Sequence, residues 1–187
     1  MEAPNNTEIL AYADISRWES WLADHHDTSN GIWLLIAKKG SDAESVTTSD
    51  ALDVALCYGW IDSQRKSHDT PYYLQRYSPR RARSPWSRLN VERVQALIDA
   101  GRMRAAGLAE VAAAQADGRW AAAYEPQRNV SLPPDLAAAL ARNKRARTAF
   151  ERLGKTGQYL AILPVLKAAT PAIREVRLQQ AIAKLEA

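Results

Sequence analysis

Arginine is concentrated in one segment that also carries aromatic and turn-forming residues. Residues 76–90 read RYSPRRARSPWSRLN and contain five arginines, two prolines, Tyr77 and Trp86. Over residues 63–88, seven Lys or Arg stand against one acid, a local charge of +6, whereas the whole chain carries +4. Guanidinium groups fix phosphate or carboxylate through forked hydrogen bonds, which the point charge of lysine does less selectively. The segment therefore predicts an anion site.

The predicted site takes in the basic and aromatic residues of this region. Arginine forks hold the anion, and Tyr77 or Trp86 offers a flat face to a base or ring. The alternative is an arginine-rich loop clamped to acids of its own fold, and the pattern favours neither. The predicted ligand-binding residues are Arg65, Lys66, Arg76, Tyr77, Arg80, Arg81, Arg83, Trp86 and Arg88.

Asp62 is a weak catalytic candidate. It lies in the apolar-flanked string GWIDS, and on an extended strand it shares a face with Trp60 and Gln64. A half-buried carboxylate near arginines can act as a base, but such a group more often orients an arginine as an internal counter-charge. No other catalytic residue is predicted.

Further signatures of catalysis or metal binding are missing from the sequence. Adjacent His25 and His26 do not face each other on a helix, and no histidine pair has i, i+4 spacing. Cys57 lies among hydrophobic residues and is predicted to be a buried apolar group. The chain has no phosphate loop, dinucleotide fingerprint or nucleophile elbow. We therefore predict no metal and no cofactor, and the pattern leans away from an enzyme.

Composition is that of a globular protein, with 187 residues of which 47% are hydrophobic and 25% charged. A single cysteine excludes an intramolecular disulfide and fits a reducing compartment. The start MEAPNNTE lacks the pattern of a secretory signal, and no apolar stretch is long enough to span a bilayer. We expect a cytoplasmic protein whose partner is an anionic small molecule or an acidic protein, with nucleic acid as a further candidate.

The elements that position these residues follow from periodicity and capping. Asp14 is predicted to cap a helix that ends before Ser29, and the apolar run 32–37 predicts a strand. A second helix opens at residues 47–50. Residues 60–66 and 72–77 predict a β-hairpin, and the basic segment leaves from its end.

The remaining chain is predicted to be helical. One helix ends at Gly101 and an Ala-rich helix covers residues 104–117. All six tryptophans lie at or before Trp120, after which a proline-bearing stretch follows. This gives an α/β domain over residues 1–124, a linker over 125–134 and a helical module over 135–187, in which Pro164 kinks or ends a helix. The predicted class is α+β.

Several strings resemble the YdeI/OmpD-associated, or bacteriocin-protection, family. They are GIWLLIAKK from Gly31, ALCYGWID from Ala55, YSPRRARSPWSRLN from Tyr77 and GRMRAAG from Gly101, and the helical tail resembles the family's bacteriocin-protection module. The resemblance implies a YjbR/CyaY-like fold, a small antiparallel sheet with helices, followed by helices. It also implies protection against bacteriocins or cationic peptides and association with a porin, without established catalytic residues.

Three functions follow as hypotheses. The first is a non-enzymatic binding or stress-protection protein with an arginine-rich anion site. The second is sequence-tolerant nucleic-acid binding, with stacking on Trp86 or Tyr77 and a steep salt dependence. The third is a small hydrolase or transferase in which Asp62 is the base and the arginines hold a phosphorylated substrate.

Overall fold

The computed structural model describes residues 8–187, with strands and helices mixed up to Pro79 and helices thereafter. The strands in this range are β1 (Ile9–Leu10), β2 (Ile32–Ala37), β3 (Trp60–Ser67) and β4 (Tyr72–Pro79). The helices are α1 (Ile15–His25), α2 (Thr48–Cys57), α3 (Arg88–Asp99), α4 (Ala105–Ala116), α5 (Pro134–Arg142), α6 (Lys144–Arg152), α7 (Lys155–Leu166) and α8 (Pro171–Glu186). The predicted α+β class with a helical C-terminal run is confirmed.

Helices begin where side chains satisfy the free N–H groups of a first turn. The Asp14 carboxylate accepts from Ser16 N at 2.8 Å before α1, and the Thr47 hydroxyl accepts from Asp50 N at 3.1 Å before α2. Both helix starts were predicted from sequence. A capping side chain binds an N–H only two or three positions further along the chain, so the signal is local. Pro164 lies inside α7, which continues for two residues beyond it and ends at Leu166.

The chain divides into two compact units. The first runs up to Ser84 and includes Glu92–Ala116, and the second consists of Pro85–Val91 and Asp117–Ala187. Residues 125–134, the predicted linker, fall within the second unit.

The sheet of the first unit has the strand order β1-β2-β4-β3. β4 pairs antiparallel with both β2 and β3, whereas β1 pairs parallel with β2. The sheet is therefore mixed, and the parallel β1 is an addition to the predicted antiparallel sheet. Its two residues are too few to show any periodicity in sequence.

A β-bulge changes the facing of side chains along the hairpin. Asp62 pairs with Tyr77 and Arg65 pairs with Gln75, so three steps along β3 correspond to two along β4. Side chains beyond the bulge consequently lie on the face opposite to the one that simple alternation assigns them. The predicted grouping of Asp62 with Gln64 was wrong for this reason, because Arg65 takes the position beyond Asp62 on that face.

One face of the sheet packs against α1 and α2. We call it the helix face; its residues are Ile32, Leu34, Ile36, Tyr73, Gln75 and Tyr77. The Trp18 ring of α1 lies 5.6 Å from the Tyr77 ring, and its Nε1 donates to Ala51 O of α2 at 3.1 Å. The opposite face carries Trp33, Leu35, Leu74, Arg76 and Ser78.

The second unit has its own core. It is built from Leu136, Leu140, Ala146, Phe150, Ile162 and Leu178, which come from α5, α6, α7 and α8. α7 and α8 are joined by a four-residue connection and form a helical hairpin.

Candidate functional site

The arginine segment contributes to one cavity of about 610 Å³ in the first unit, on the opposite face of the sheet. We call it the arginine cavity. Its lining residues come from β3, β4, the loop after β4 and the residue before Gly31: Asn30, Ile61, Ser63, Gln64, Arg76, Ser78, Pro79, Arg80, Arg81 and Ser84. Three predicted arginines therefore meet at one place.

Arg76 is held by the backbone before β2. Its Nη2 donates to Asn30 O at 3.3 Å, and its guanidinium carbon lies 5.8 Å from the centre of the Trp33 ring. Its Nη1 is buried and has no hydrogen-bond partner among the described residues. A buried donor without an acceptor is costly, so an acceptor oxygen that reached Nη1 would stabilise it.

Arg80 and Arg81 follow directly after β4. Arg80 N donates to Gly59 O at 3.0 Å, and the Arg80 side chain is only 7% exposed. Arg81 is exposed, and Ser84 N donates to its carbonyl at 3.0 Å, which closes a turn over residues 81–84. The turn brings Ser84 back to the wall of the cavity.

The electrostatic character of the arginine cavity is uniform. Its ten described lining residues include three arginines and neither Asp nor Glu. Arg76 and Arg81 form no ion pair within 4 Å of an acid in residues 8–187. Serine hydroxyls and the Asn30 and Gln64 amides add neutral hydrogen-bonding groups. Such a lining suits an anion with several oxygen acceptors.

Arg65 and Lys66 lie outside the lining of this cavity, on different faces of the sheet. Arg65 Nε donates to Gln75 Oε1 at 3.1 Å, and its guanidinium lies 4.3 Å from the Tyr73 ring centre on the helix face. Lys66 Nζ lies 4.4 Å from the Trp33 ring centre. Neighbours on a strand alternate between the two faces, so the hairpin does not bring both to one pocket, and the bulge decides that Arg65 is the one on the helix face.

The two predicted aromatic residues are core residues. Tyr77 has 0% exposure, its hydroxyl donates to Thr48 O at 3.4 Å, and burial raises its pKa far above the ordinary value of 10.0. Trp86 has 2% exposure, belongs to the second unit and packs edge-on against Trp120 at 4.9 Å. Neither ring has the open face that base stacking needs.

Arg83 and Arg88 also lie outside the lining. Arg83 is exposed and has a φ of 63°, at the third position of the turn over residues 81–84. Arg88 belongs to the second unit, where its Nε lies 3.4 Å from Glu125 Oε1. Of the nine predicted ligand residues, Arg76, Arg80 and Arg81 are the ones that line the cavity.

Asp62 lies on the helix face, because its register partner is Tyr77. It is half-buried and makes no ion pair within 4 Å in the described part of the chain. Desolvation raises its pKa above 3.8, against the opposing charges of Arg65, Arg93 and Arg80. Because the cavity opens on the opposite face, Asp62 is not placed to act on an anion bound there.

Sequence reasoning did not identify the neutral residues of the cavity. Ser78, Pro79 and Ser84 lie beside the arginines in the basic segment, so their position along the chain was an available signal. Ser63 and Gln64 reach the cavity through the bulge, and Asn30 through the pairing of β2 with β4. These three depend on long-range pairing that local patterns do not reveal.

Other kinds of site find no support in the described part of the chain. No group of three or more His, Cys, Asp or Glu side chains in residues 8–187 is arranged to hold a metal ion. In the same range, every helix is too short or too polar to cross a membrane. Cys57 is buried, and desolvation raises the pKa of its thiol, which keeps the sulfur protonated and unreactive.

Two family models match different parts of the chain. Residues 10–110, more than half of the sequence, match a domain of unknown function (DUF8412). Residues 129–187 match the bacteriocin-protection, YdeI or OmpD-associated family, so the predicted resemblance is supported for the helical tail. The strings from Gly31, Ala55, Tyr77 and Gly101 lie in the first match. No curated protein and no solved structure matches the chain.

Proposed function

The chain belongs to the DUF8412 family, and we propose that it is a binding protein whose first unit holds an anion in the arginine cavity. The observation that carries this proposal is the meeting of Arg76, Arg80 and Arg81 in a lining without acids. The C-terminal match supports a protein of the bacteriocin-protection type. The proposed binding needs no chemical step.

The proposed ligand is a small molecule or an acidic protein group with several negatively charged oxygens. The exposed guanidinium fork of Arg81 can give paired hydrogen bonds to a phosphate or carboxylate, and Nη1 of Arg76 is a donor without a partner among the described residues. Nucleic-acid binding gains less support, since Tyr77 and Trp86 are buried. The hydrolase hypothesis has little support because Asp62 lies on the helix face.

The proposed link to protection does not involve direct capture of a cationic peptide in this cavity. A lining with three arginines and no acid repels positive charge. We place the protective role in recognition of an anionic ligand or acidic partner in the cytoplasm. A relation of the first unit to the YjbR/CyaY-like group is part of the same proposal, supported by its small sheet covered by helices on one face.

Isothermal titration of the whole chain with inorganic phosphate, AMP, citrate and short polyphosphate tests the proposal. Arg81→Gln removes a lining charge, and Arg83→Gln removes an equal charge two residues away, outside the lining. We expect at least one probe to bind, with binding to Arg81→Gln at least about tenfold weaker, since a charge-assisted hydrogen bond contributes about 1.5–3 kcal/mol. Arg83→Gln should stay within about twofold of the unmodified chain.

Two results contradict the proposal. One is the absence of binding by every probe at low ionic strength, where surface electrostatics are strongest. The other is equal weakening by both substitutions, which identifies a diffuse charge effect instead of a site.

A further inference from the structure

A second cavity lies in the second unit, between α7 and α8. Its volume is about 440 Å³, and its apolar lining includes Leu153, Leu160, Ala161, Pro164, Ala181 and Leu185. Leu160 is 60% exposed, more than any other large hydrophobic side chain in the described part of the chain. We call this cavity the hairpin groove. It is separate from the arginine cavity, which belongs to the first unit.

The walls of the hairpin groove have helical spacing. On α7 the lining residues Gly157, Leu160 and Pro164 recur every three or four positions, as they do on α8 from Arg177 to Leu185, and Leu153 adds to the lining from the end of α6. The α8 wall is about 12 Å long at 1.5 Å per residue. Two helices with a shallow apolar furrow between them accept a third helix that places residues i, i+3, i+4 and i+7 in the furrow.

Gly157 leaves one position of the groove lining without a side chain. The atoms nearest to a Cβ at this position belong to the Leu153 side chain, with Leu153 Cβ at 3.2 Å. Because Gly157 lines the groove and none of these nearest atoms is backbone, we expect a larger side chain at position 157 to extend into the groove. This provides a way to fill the groove.

The positive charges at the hairpin groove favour an occupant that carries acidic residues. Arg177 and Lys184 are in the lining, which contains neither Asp nor Glu among its described residues. Arg177 Nη1 donates to Gln180 Oε1 at 3.3 Å, and neither cation forms an ion pair with an acid in residues 8–187. A second copy docked through the same two-fold surface brings these cations against each other, which is unfavourable.

We propose that the hairpin groove binds an amphipathic helix of a partner protein, with acidic residues flanking its apolar face. The partner's apolar residues cover Leu160 and the adjoining lining, and its acids face Arg177 and Lys184. This surface depends neither on the arginine cavity nor on its ligand.

A yeast-displayed library of amphipathic helical peptides tests the proposal against the whole chain. The apolar face is fixed as Leu at i, i+3, i+4 and i+7, and flanking positions are randomised among Glu, Gln and Lys. We expect enriched peptides to carry Glu in the flanks. Gly157→Leu should weaken their binding at least about tenfold, because the new side chain takes the furrow.

Charge reversal separates recognition from general attraction. Arg177→Glu with Lys184→Glu should turn the selected flanks from Glu to Lys. Arg145→Glu with Arg152→Glu makes the same charge change on exposed positions of α6 outside the groove and should leave the Glu preference unchanged. Circular dichroism of each variant confirms that its helices are retained.

Any of four results overturns the proposal: no enrichment, flanks without charge preference, equal effects of the two double reversals, or binding insensitive to Gly157→Leu. Light scattering adds a fifth. If the chain forms dimers that Gly157→Leu abolishes, the occupant is a second copy and the inference is wrong.

Discussion

The guanidinium of Arg76 occupies the space next to Gly31 that a side chain at position 31 would need. An ideal Cβ on Gly31 would stand 2.9 Å from Arg76 Nη2, 2.7 Å from Tyr77 O and 2.8 Å from Ser78 Cβ. Gly31 also has a φ of 123°, in a region that L side chains rarely adopt. The glycine before β2 therefore permits Arg76 to reach Asn30 and the arginine cavity.

Gly31→Ala is expected to destabilise the first unit and displace Arg76. The strained φ at position 31 and the contact of the new Cβ with backbone should together lower the free energy of unfolding by about 2 kcal/mol or more. Anion binding should weaken because Arg76 is displaced from the arginine cavity. Urea unfolding and calorimetric titration measure the two effects. Gly40→Ala is the control, since Gly40 has a φ of 84° but a Cβ there would have nothing within 4 Å. Equal effects of the two substitutions would show that the contact with Arg76 is unimportant.

Asp62→Asn is expected to stabilise the protein at neutral pH. Burial raises the pKa of Asp62 above 3.8, so the folded chain binds this proton more tightly than the unfolded chain and ionisation of Asp62 costs stability. The difference in the free energy of unfolding between the Asn variant and the unmodified chain should shrink as pH falls through the raised pKa of Asp62. It should vanish below the ordinary pKa of 3.8. Urea unfolding of both chains across this pH range measures it. Destabilisation by Asn at neutral pH would show that the charges of Arg65, Arg93 and Arg80 dominate instead.

Gly107→Ala is expected to disturb the contact of α4 with the end of α2. A Cβ on Gly107 would stand 2.3 Å from Cys57 O and 2.7 Å from Leu56 O, both of which are backbone atoms. Because backbone cannot rotate away, we expect a loss of about 1–3 kcal/mol in the free energy of unfolding. Gly154→Ala, with nothing within 4 Å, is the control without overlap and should cost about 0.5 kcal/mol, the difference between Gly and Ala at a helix N-cap. A Gly107→Ala chain as stable as this control contradicts the expected overlap.

The pair Asp135–Arg174 is expected to stabilise the second unit in a pH-dependent way. Arg174 Nε and Nη2 donate to the two carboxylate oxygens at 2.7 and 3.0 Å, and this lowers the pKa of Asp135 below 3.8. The stabilisation is present above the ordinary pKa and is lost as pH falls through the lowered one. A double-mutant cycle of Asp135→Asn and Arg174→Gln should give about 0.5–1 kcal/mol at neutral pH, since both groups are about one-third exposed.

The control for that cycle is the exposed pair Arg147–Glu151 on α6, in which Arg147 Nε lies 3.9 Å from Glu151 Oε1. It should contribute about 0.3 kcal/mol or less. A coupling energy for Asp135–Arg174 no larger than this value, or one that persists in strong acid, contradicts the prediction.

Local signals in the sequence were sufficient for most helices and strands. The side chains of Asp14 and Thr47 accept from N–H groups in the first turn of the helix that follows each of them, and residues 32–37 form a strand over the predicted range. Such signals involve neighbours a few positions apart, so they can be interpreted without knowing the fold. The short β1 gave no such signal, because its pairing with β2 is decided by distant residues.

The sequence by itself determined that positive charge is dense between residues 63 and 88 and that Cys57 lies in an apolar stretch. Only the tertiary structure decided which cations share a pocket. The bulge after Asp62 decides that Arg65 takes the helix face and Lys66 the opposite one, and the pairing of β2 with β4 brings Asn30 to Arg76. Side-chain facing in a sheet depends on register between strands, and register is a property of paired segments rather than of any one of them.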